Sequence, residues 1–150
     1  MRKKYPEIPI IIDAKRADID NTNLGYVRLI FEYLKADAAT VNPYLGEEAL
    51  VPFLAQRDKG IIVLCKTSNS GAYEFQDLVL SGKYQVASIK GGIKLYQYIA
   101  YQVAKKWNKN KNCLLVVGAT YPKQLKEVRK IVGDDLWILV LGVGAQGRDL

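Results

Sequence analysis

The chain has 150 residues, of which 49% are hydrophobic and 25% are charged, and its net charge is +7. This composition is typical of one folded domain over residues 1–150 and excludes disorder as the main state, because enough apolar surface is present to offset the entropy lost on ordering. The chain contains no histidine, which excludes mechanisms that need an imidazole base, nucleophile or metal ligand.

The cysteines and the apolar runs predict where the protein resides. Cys65 and Cys113 each lie inside an apolar run, which is typical of reduced core thiols in an intracellular protein. The longest apolar runs, 61–65 and 137–143, have the length of strands and are far too short to span a membrane. We therefore expect a soluble, cytoplasmic protein that does not associate with membranes.

Short runs rich in β-branched residues alternate along the chain with segments that have helical spacing. The runs are nearly continuous in apolar residues, which is typical of strands covered on both faces. The predicted strands are 8–12, 36–41, 61–65, 113–117 and 137–143, and the helical stripes lie within 24–34, 93–107 and 125–132, the last ended by Gly133. This alternation predicts parallel βαβ units and hence an α/β fold.

Polar, glycine-bearing segments follow the predicted strands, at 13–22, 40–46, 67–71, 118–122 and 142–149. Chemistry at the carboxyl ends of parallel strands suits a (β/α)₈ barrel, although a doubly wound sheet places its ligands there too. No G-x-G-x-x-G follows the first strand and no Walker A motif is present, which disfavours the dinucleotide-binding and P-loop folds.

The first of these segments carries three charges. Asp13 and Lys15 are two residues apart, so on a strand both side chains face the same side, and Asp18 follows where the strand gives way to a loop. Nearby carboxylates favour the ammonium form of a lysine, which makes it an acid and an electrostatic clamp rather than a free amine. A surface ion pair before a helix, with Asp18 or Thr22 as its N-cap, explains the same residues equally well.

Five motifs resemble those of the orotidine 5′-phosphate decarboxylase family, in the same order and over nearly the whole chain, and look most like its longer bacterial branch. They are D-A-K-R-A-D-I-D-N-T at 13–22, T-V-N-P-Y-L-G at 40–46, C-K-T-S-N-S-G-A at 65–72, V-V-G-A-T-Y-P at 116–122 and L-G-V-G-A-Q-G-R-D at 141–149. D-x-K-x-x-D is shared with related sugar-phosphate decarboxylases, so the combination carries the resemblance.

The resemblance implies a homodimeric (β/α)₈ barrel that converts orotidine 5′-monophosphate to uridine 5′-monophosphate and CO₂ in pyrimidine biosynthesis, with no metal or organic cofactor. It implies that Asp13 lies beside the substrate carboxylate and that Lys15 protonates C6. By the same resemblance Asp18, with Ile19 and Thr22, reaches into the partner's site. The remaining implied substrate contacts are Ser68 at the pyrimidine, Gln146 between base and phosphate, and a possible phosphate loop of Gly144, Gly147 and Arg148.

The chemistry agrees with these roles. Loss of CO₂ leaves carbanion character on the ring, and an ammonium held at that atom stabilises the charge and then donates its proton. A nearby aspartate also disfavours the carboxylate of the substrate by repulsion between like charges.

The chain departs from the family pattern at three positions and lacks several segments. Leu141 and Ser70 replace usual prolines, and Arg148 replaces a usual glycine. The five predicted strands correspond to barrel strands three to seven, so the strands that bear a further lysine, a ribose-binding aspartate and a phosphate-binding arginine have no counterpart. We therefore expect a partial, incomplete barrel that is inactive without its ends.

Two other functions fit parts of the sequence. A sugar-phosphate decarboxylase or aldolase-like barrel shares D-x-K-x-x-D, and its relatives normally need magnesium. A non-enzymatic RNA-binding module would use the basic run at 105–111, but this run lacks a base-reading pattern and is better explained as a basic helix end and a solvated loop. The sequence thus predicts no nucleic-acid partner.

Overall fold

The computed structural model of the chain describes residues 4–81 and 92–144. Its strands are β1 (Ile11–Arg16), β2 (Ala38–Val41), β3 (Gly60–Lys66), β4 (Val79–Leu80), β5 (Ile93–Lys94), β6 (Cys113–Gly118) and β7 (Ile138–Leu141). Its α-helices are α1 (Asp20–Val27), α2 (Gly46–Leu54), α3 (Tyr73–Gln76), α4 (Leu95–Gln102) and α5 (Pro122–Val132). None of the helices in these two ranges is long and apolar enough to cross a bilayer.

Strands near all five predicted places form one sheet in the order β1-β2-β3-β6-β7. The prediction of the first strand at 8–12 is wrong in its bounds, because β1 begins at Ile11 and extends to Arg16. The pairs β1–β2, β2–β3 and β6–β7 are parallel, with Ala39 opposite both Ile12 and Ile61. The α/β prediction is therefore confirmed. A short antiparallel pair, β4 with β5, was not predicted, because two-residue strands carry too little pattern to be recognised.

Burial differs between the inner and the outer strands of this order. All four residues of β2 are buried, as are most residues of β3 and β6, which confirms the expectation of strands covered on both faces. That expectation is wrong for β1, where Ile11 is exposed, and for β7, whose four residues are half-buried. β1 and β7 end the sheet order, so each is paired on one side only in the described residues.

The helical stripes are correct in part. Val27, Ile30 and Phe31 are buried as predicted, but Leu24 and Leu34 at the two ends of that stripe are exposed. Helix α1 continues into a π-helical segment, Arg28–Tyr33, and α4 likewise into Val103–Trp107. The wider turn of a π-helix changes the spacing at which side chains share a face, which accounts for the exposure of Leu34 directly after the first π-helical segment.

Of two predictions about single residues, the one for Ile93 is wrong and the one for Gly133 is confirmed. Ile93 belongs to β5 rather than to the helix that follows it. Gly133 does end α5, with a φ of 77° in the left-handed region that glycine adopts without strain.

The chain divides into two compact units, residues 1–63 with 108–113 and residues 64–107 with 114–150. In the first unit, part of the basic run supports helix α2. Within the run, the side-chain amide of Asn110 donates to the carbonyl of Leu54, the last residue of α2, and Lys109 pairs with Glu47 at 3.0 Å. Asn112, directly after the run, donates to the same carbonyl. These residues satisfy the end of a helix, which favours the structural explanation of the run over a nucleic-acid surface.

Both cysteines are free and buried. Cys65 belongs to the second unit and donates to the carbonyl of Tyr96, whereas Cys113 belongs to the first unit and begins β6. Burial raises the pKa of each thiol to about 12. Neither thiol is ionised near neutral pH. The prediction that both cysteines are core thiols is confirmed, since both are free and buried.

Candidate active site

The charged pair predicted at the end of the first strand forms in the first unit. Lys15 Nζ lies 2.5 Å from Asp13 Oδ2. The backbone of β1 is irregular here, and Lys15 has a φ of 49°. The pairing with β2 also shifts register: Ile12 lies opposite Ala39 and Arg16 lies opposite Val41, so β1 uses more residues than β2 over the same stretch. The two side chains meet as the spacing predicts, but through a bulge rather than through simple strand alternation.

Thr40 in β2 contacts both members of the pair. Its hydroxyl donates to Asp13 Oδ1 at 2.8 Å and accepts the main-chain N–H of Lys15 at 2.9 Å. Asn42, the residue after β2, belongs to a turn, since its Oδ1 accepts the N–H of Tyr44.

The pair is accessible as well as polar. The side chains of Lys15 and Asp13 are 47% and 56% exposed. The hydrogen bond from Lys15 has the largest effect and lowers the pKa of Asp13, while burial opposes it. The hydrogen bond from Thr40 and the charge of Lys15 lower the pKa further. Asp13 is therefore an anion at neutral pH, with the Lys15 ammonium beside it and open to a ligand.

Asp18, Ile19 and Thr22 lie where the chain enters α1. Asn23 is buried and holds this turn, because its side chain accepts the N–H of Asp18 and donates to the carbonyls of Asp18 and Ala49. The N-cap is Ile19, whose side chain cannot cap, so the prediction of Asp18 or Thr22 as the N-cap is wrong. The turn is held instead by Asn23, and the Asp18 carboxylate accepts the N–H of Ile19.

Ser68 lies in the second unit, in the loop after β3. Gln76 closes this loop, since its side chain accepts the N–H of Thr67 and donates to the Thr67 hydroxyl, which donates in turn to Asn69. Gly118, the last residue of β6, lies directly against Ser68. A Cβ on Gly118 would be 2.8 Å from Ser68 Cα, so only glycine permits this approach.

The last residue of β3, Lys66, is a feature that the sequence analysis missed. Its side chain is fully buried and its ammonium lies 2.8 Å from Asp77 Oδ2. The rings of Tyr96 and Tyr121 lie 5.8 and 4.6 Å from the same nitrogen. The available signal was a lysine that directly ends a continuous apolar run, since a cation at such a position must find a partner or leave the core.

Gly144 is the one residue of the predicted phosphate loop that the structure describes. It is exposed and has a φ of 72°, and Gly142 before it has a φ of 85°, so the backbone adopts the conformations expected of a glycine-rich turn. Gln146, Gly147 and Arg148 lie outside the described residues. Within 4–81 and 92–144, no group of three His, Cys, Asp or Glu side chains is placed to hold a metal ion.

Parallel strands alternate with helices, and a lysine–aspartate pair lies near the carboxyl end of one strand. This arrangement defines the class of α/β proteins that place their sites at the carboxyl ends of parallel strands. The family model described as "Orotidine 5'-phosphate decarboxylase / HUMPS family" matches residues 1–150. The chain belongs to this family.

Individual relatives agree with the family assignment. The chain is 49% identical over 150 residues to orotidine 5′-phosphate decarboxylases of Cellvibrio japonicus and of Janthinobacterium, and covers 51% of each. The solved structure of Leishmania donovani OMP decarboxylase superposes with a TM-score of 0.80 and 41% identity, over 91% of this chain and 50% of that one. The chain thus spans about half the length of the curated relatives that it matches.

Proposed function

We propose that this chain carries the charged centre of a decarboxylase that converts orotidine 5′-monophosphate to uridine 5′-monophosphate and CO₂ in pyrimidine biosynthesis. The observation that carries the proposal is the contact between Lys15 and Asp13, which falls within the D-A-K-R-A-D segment of the family resemblance. The identity to decarboxylases over the full chain supports the choice of substrate over the sugar phosphates of related enzymes.

The exposed lysine–aspartate pair suits the chemistry of this reaction. When the bond between C6 and the carboxylate breaks, its electrons remain on C6 and CO₂ departs. The Lys15 ammonium stabilises this charge and then donates a proton to C6, after which the neutral amine takes a proton from water. Asp13 is held as an anion, so it repels the substrate carboxylate and keeps the ammonium in place.

Other residues complete the proposed site. Asp18 and Thr22 act across the interface of a homodimer together with Ile19, whose side chain is exposed at the start of α1. Ser68 contacts the pyrimidine. Gln146, Gly144, Gly147 and Arg148 hold the base region and the phosphate. The reaction needs no cofactor, and the cytoplasmic location expected from the sequence stays a prediction.

A chimeric enzyme tests this proposal in a complete barrel. The 150 residues of the Cellvibrio japonicus enzyme that align with this chain are replaced by it, and release of CO₂ from carboxyl-labelled orotidine 5′-monophosphate is measured in the presence of EDTA. We expect turnover without metal and inhibition by a barbiturate nucleotide. Turnover that requires magnesium, or a folded chimera that does not bind nucleotide, would contradict the proposal.

The isolated chain provides the companion measurement. We expect it to release no CO₂, because the family resemblance assigns the remaining charged groups to strands without a counterpart in the five-stranded sheet of the described residues. Activity of the isolated chain would show that those segments are dispensable.

The role of Asp18 across the dimer is tested with two inactive chimeras, Lys15→Ala and Asp18→Ala. In a mixed dimer one of the two sites has an intact Lys15 and an intact Asp18 from the partner, so part of the activity returns. No recovery in a demonstrated heterodimer would place Asp18 in its own subunit's site.

A further inference from the structure

Thr40 is a buried polar residue that the proposed function does not use. Only 1% of its surface is exposed, and it lies in β2, every residue of which is buried. Its hydroxyl contacts both members of the charged pair, the carboxylate of Asp13 through its proton and the main chain of Lys15 through its oxygen. It is therefore placed to set the position of one relative to the other.

The contact of Thr40 with Lys15 is important because the backbone of β1 is irregular at Lys15. Lys15 has a φ of 49°, in a region that is unfavourable for a residue with a Cβ and that neighbouring groups must hold in place. In a regular parallel strand its N–H would pair with a main-chain carbonyl, but here the acceptor is the Thr40 hydroxyl. Thr40 thus satisfies the donor that the bulge removes from the ladder.

We propose that Thr40 is the positioning residue of the charged pair: its hydroxyl holds the Asp13 carboxylate and the Lys15 main chain where Lys15 Nζ meets Asp13 Oδ2. A threonine suits this task because its branched Cβ restricts χ1 and its strand is buried, so the hydroxyl has a fixed place. The consequence for catalysis rests on the proposed function, whereas the placement of the two side chains does not.

The placement is tested in the 150-residue chain by NMR titration of the Asp13 carboxylate carbon. Thr40→Val keeps the shape of the side chain and removes the hydroxyl, so we expect the pKa of Asp13 to rise toward its ordinary value. Thr40→Ser keeps the hydroxyl and restores the low value. Thr120→Val is the matched control, because the Thr120 hydroxyl is buried and has no hydrogen-bond partner in the described part of the chain.

The catalytic consequence is measured in the chimera. We expect Thr40→Val to lower kcat by roughly ten- to a hundredfold through misplacement of Lys15, with KM changed much less, and Thr40→Ser to recover most of the rate. A Thr40→Val protein with an unchanged Asp13 pKa and an unchanged kcat would overturn the proposal. If the wild-type chimera is inactive while the Asp13 pKa still responds to Thr40→Val, the proposed function fails and the positioning role stands.

One measurement needs no substitution and applies even if Thr40→Val does not fold. In the wild-type chain we expect a slowly exchanging hydroxyl proton on Thr40, close to Asp13, and slow hydrogen exchange of the Lys15 amide. Rapid exchange at both groups in the folded chain would overturn the proposal.

Discussion

The carboxyl ends of β1 and β3 each carry a lysine bound to an aspartate, and the two pairs differ chiefly in their surroundings. Lys15 and Asp13 are about half exposed, on a strand with an irregular backbone. Lys66 is fully buried, Asp77 is 25% exposed, and Tyr96 and Tyr121 flank the ammonium. The same pair of residue types can thus present a charge to a ligand or hold a loop in place, depending on access to solvent.

The buried pair has an evident structural task. Asp77 follows Gln76, and Gln76 closes the loop that contains Ser68 through its two hydrogen bonds to Thr67. Burial of Asp77 opposes its ionisation, but its hydrogen bond from Lys66 and the charges of Lys66 and Lys94 outweigh burial and lower its pKa. The Asp77 carboxylate therefore stays ionised, and its contact with Lys66 ties the end of β3 to the residues beyond the loop.

The largest expected effect separates the two lysines by function. We expect Lys15→Ala in the chimera to lower turnover by at least ~100-fold, because it removes the proposed proton donor, while nucleotide binding stays measurable by calorimetry. The stability of the chain should change by less than about 1 kcal/mol in urea unfolding, as for other exposed ion pairs. Turnover close to that of the wild type would contradict the assignment of Lys15.

For the buried Lys66 we expect a substitution to lower the stability of the chain. Lys66→Met leaves the Asp77 carboxylate without its nearest cation, and we expect a loss of about 3 kcal/mol, at the low end for buried pairs because Asp77 is partly exposed and retains Lys94. The double variant Lys66→Met/Asp77→Leu removes the stranded charge. We expect it to be more stable than the single variant, and a purely additive loss in urea unfolding would contradict the pairing.

A smaller effect is expected from the close packing behind Ser68. Gly118→Ala places a methyl group 2.8 Å from Ser68 Cα and Cβ, so the backbone must shift, at a cost of about 1–3 kcal/mol. Gly25→Ala in α1 is the matched control, since its Cβ would meet nothing within 4 Å and alanine favours a helix. Equal effects of the two substitutions on urea unfolding would show that the contact with Ser68 is loose.

The smallest effect concerns acid. The pKa of Asp13 and that of Asp77 are both lowered in the folded chain, so each carboxylate stabilises the fold above its unfolded pKa of about 3.9, and this contribution is lost as pH falls through the folded pKa. We expect the stability difference between wild type and Asp13→Asn to be constant above about pH 5 and to shrink below it. We expect the stability difference between wild type and Asp77→Asn to be larger than that between wild type and Asp13→Asn. An equal or smaller difference for Asp77→Asn would contradict the contrast between the buried and the exposed pair.

Local patterns were sufficient for some of these features and not for others. The two-residue spacing of Asp13 and Lys15 correctly predicted their proximity, but the bulge that brings them together depends on the pairing of β1 with β2. The role of Thr40 depends on the same pairing, so the motif at 40–46 by itself does not reveal it. The burial of Lys66 depends on Tyr96 and Tyr121, which lie far along the chain, so the motif at 65–72 does not reveal it either.

The sequence by itself determined the alternation of strands and helices, the absence of imidazole chemistry and the charged D-A-K-R-A-D segment, since periodicity, composition and short spacing are local properties of a chain. Only the tertiary structure decided which strands are covered, that Thr40 lies between Asp13 and the Lys15 main chain, and which lysine is exposed. Burial and strand register are set by segments that are distant in sequence. For that reason the same two residue types form an exposed pair at Asp13 and Lys15 and a buried one at Lys66 and Asp77.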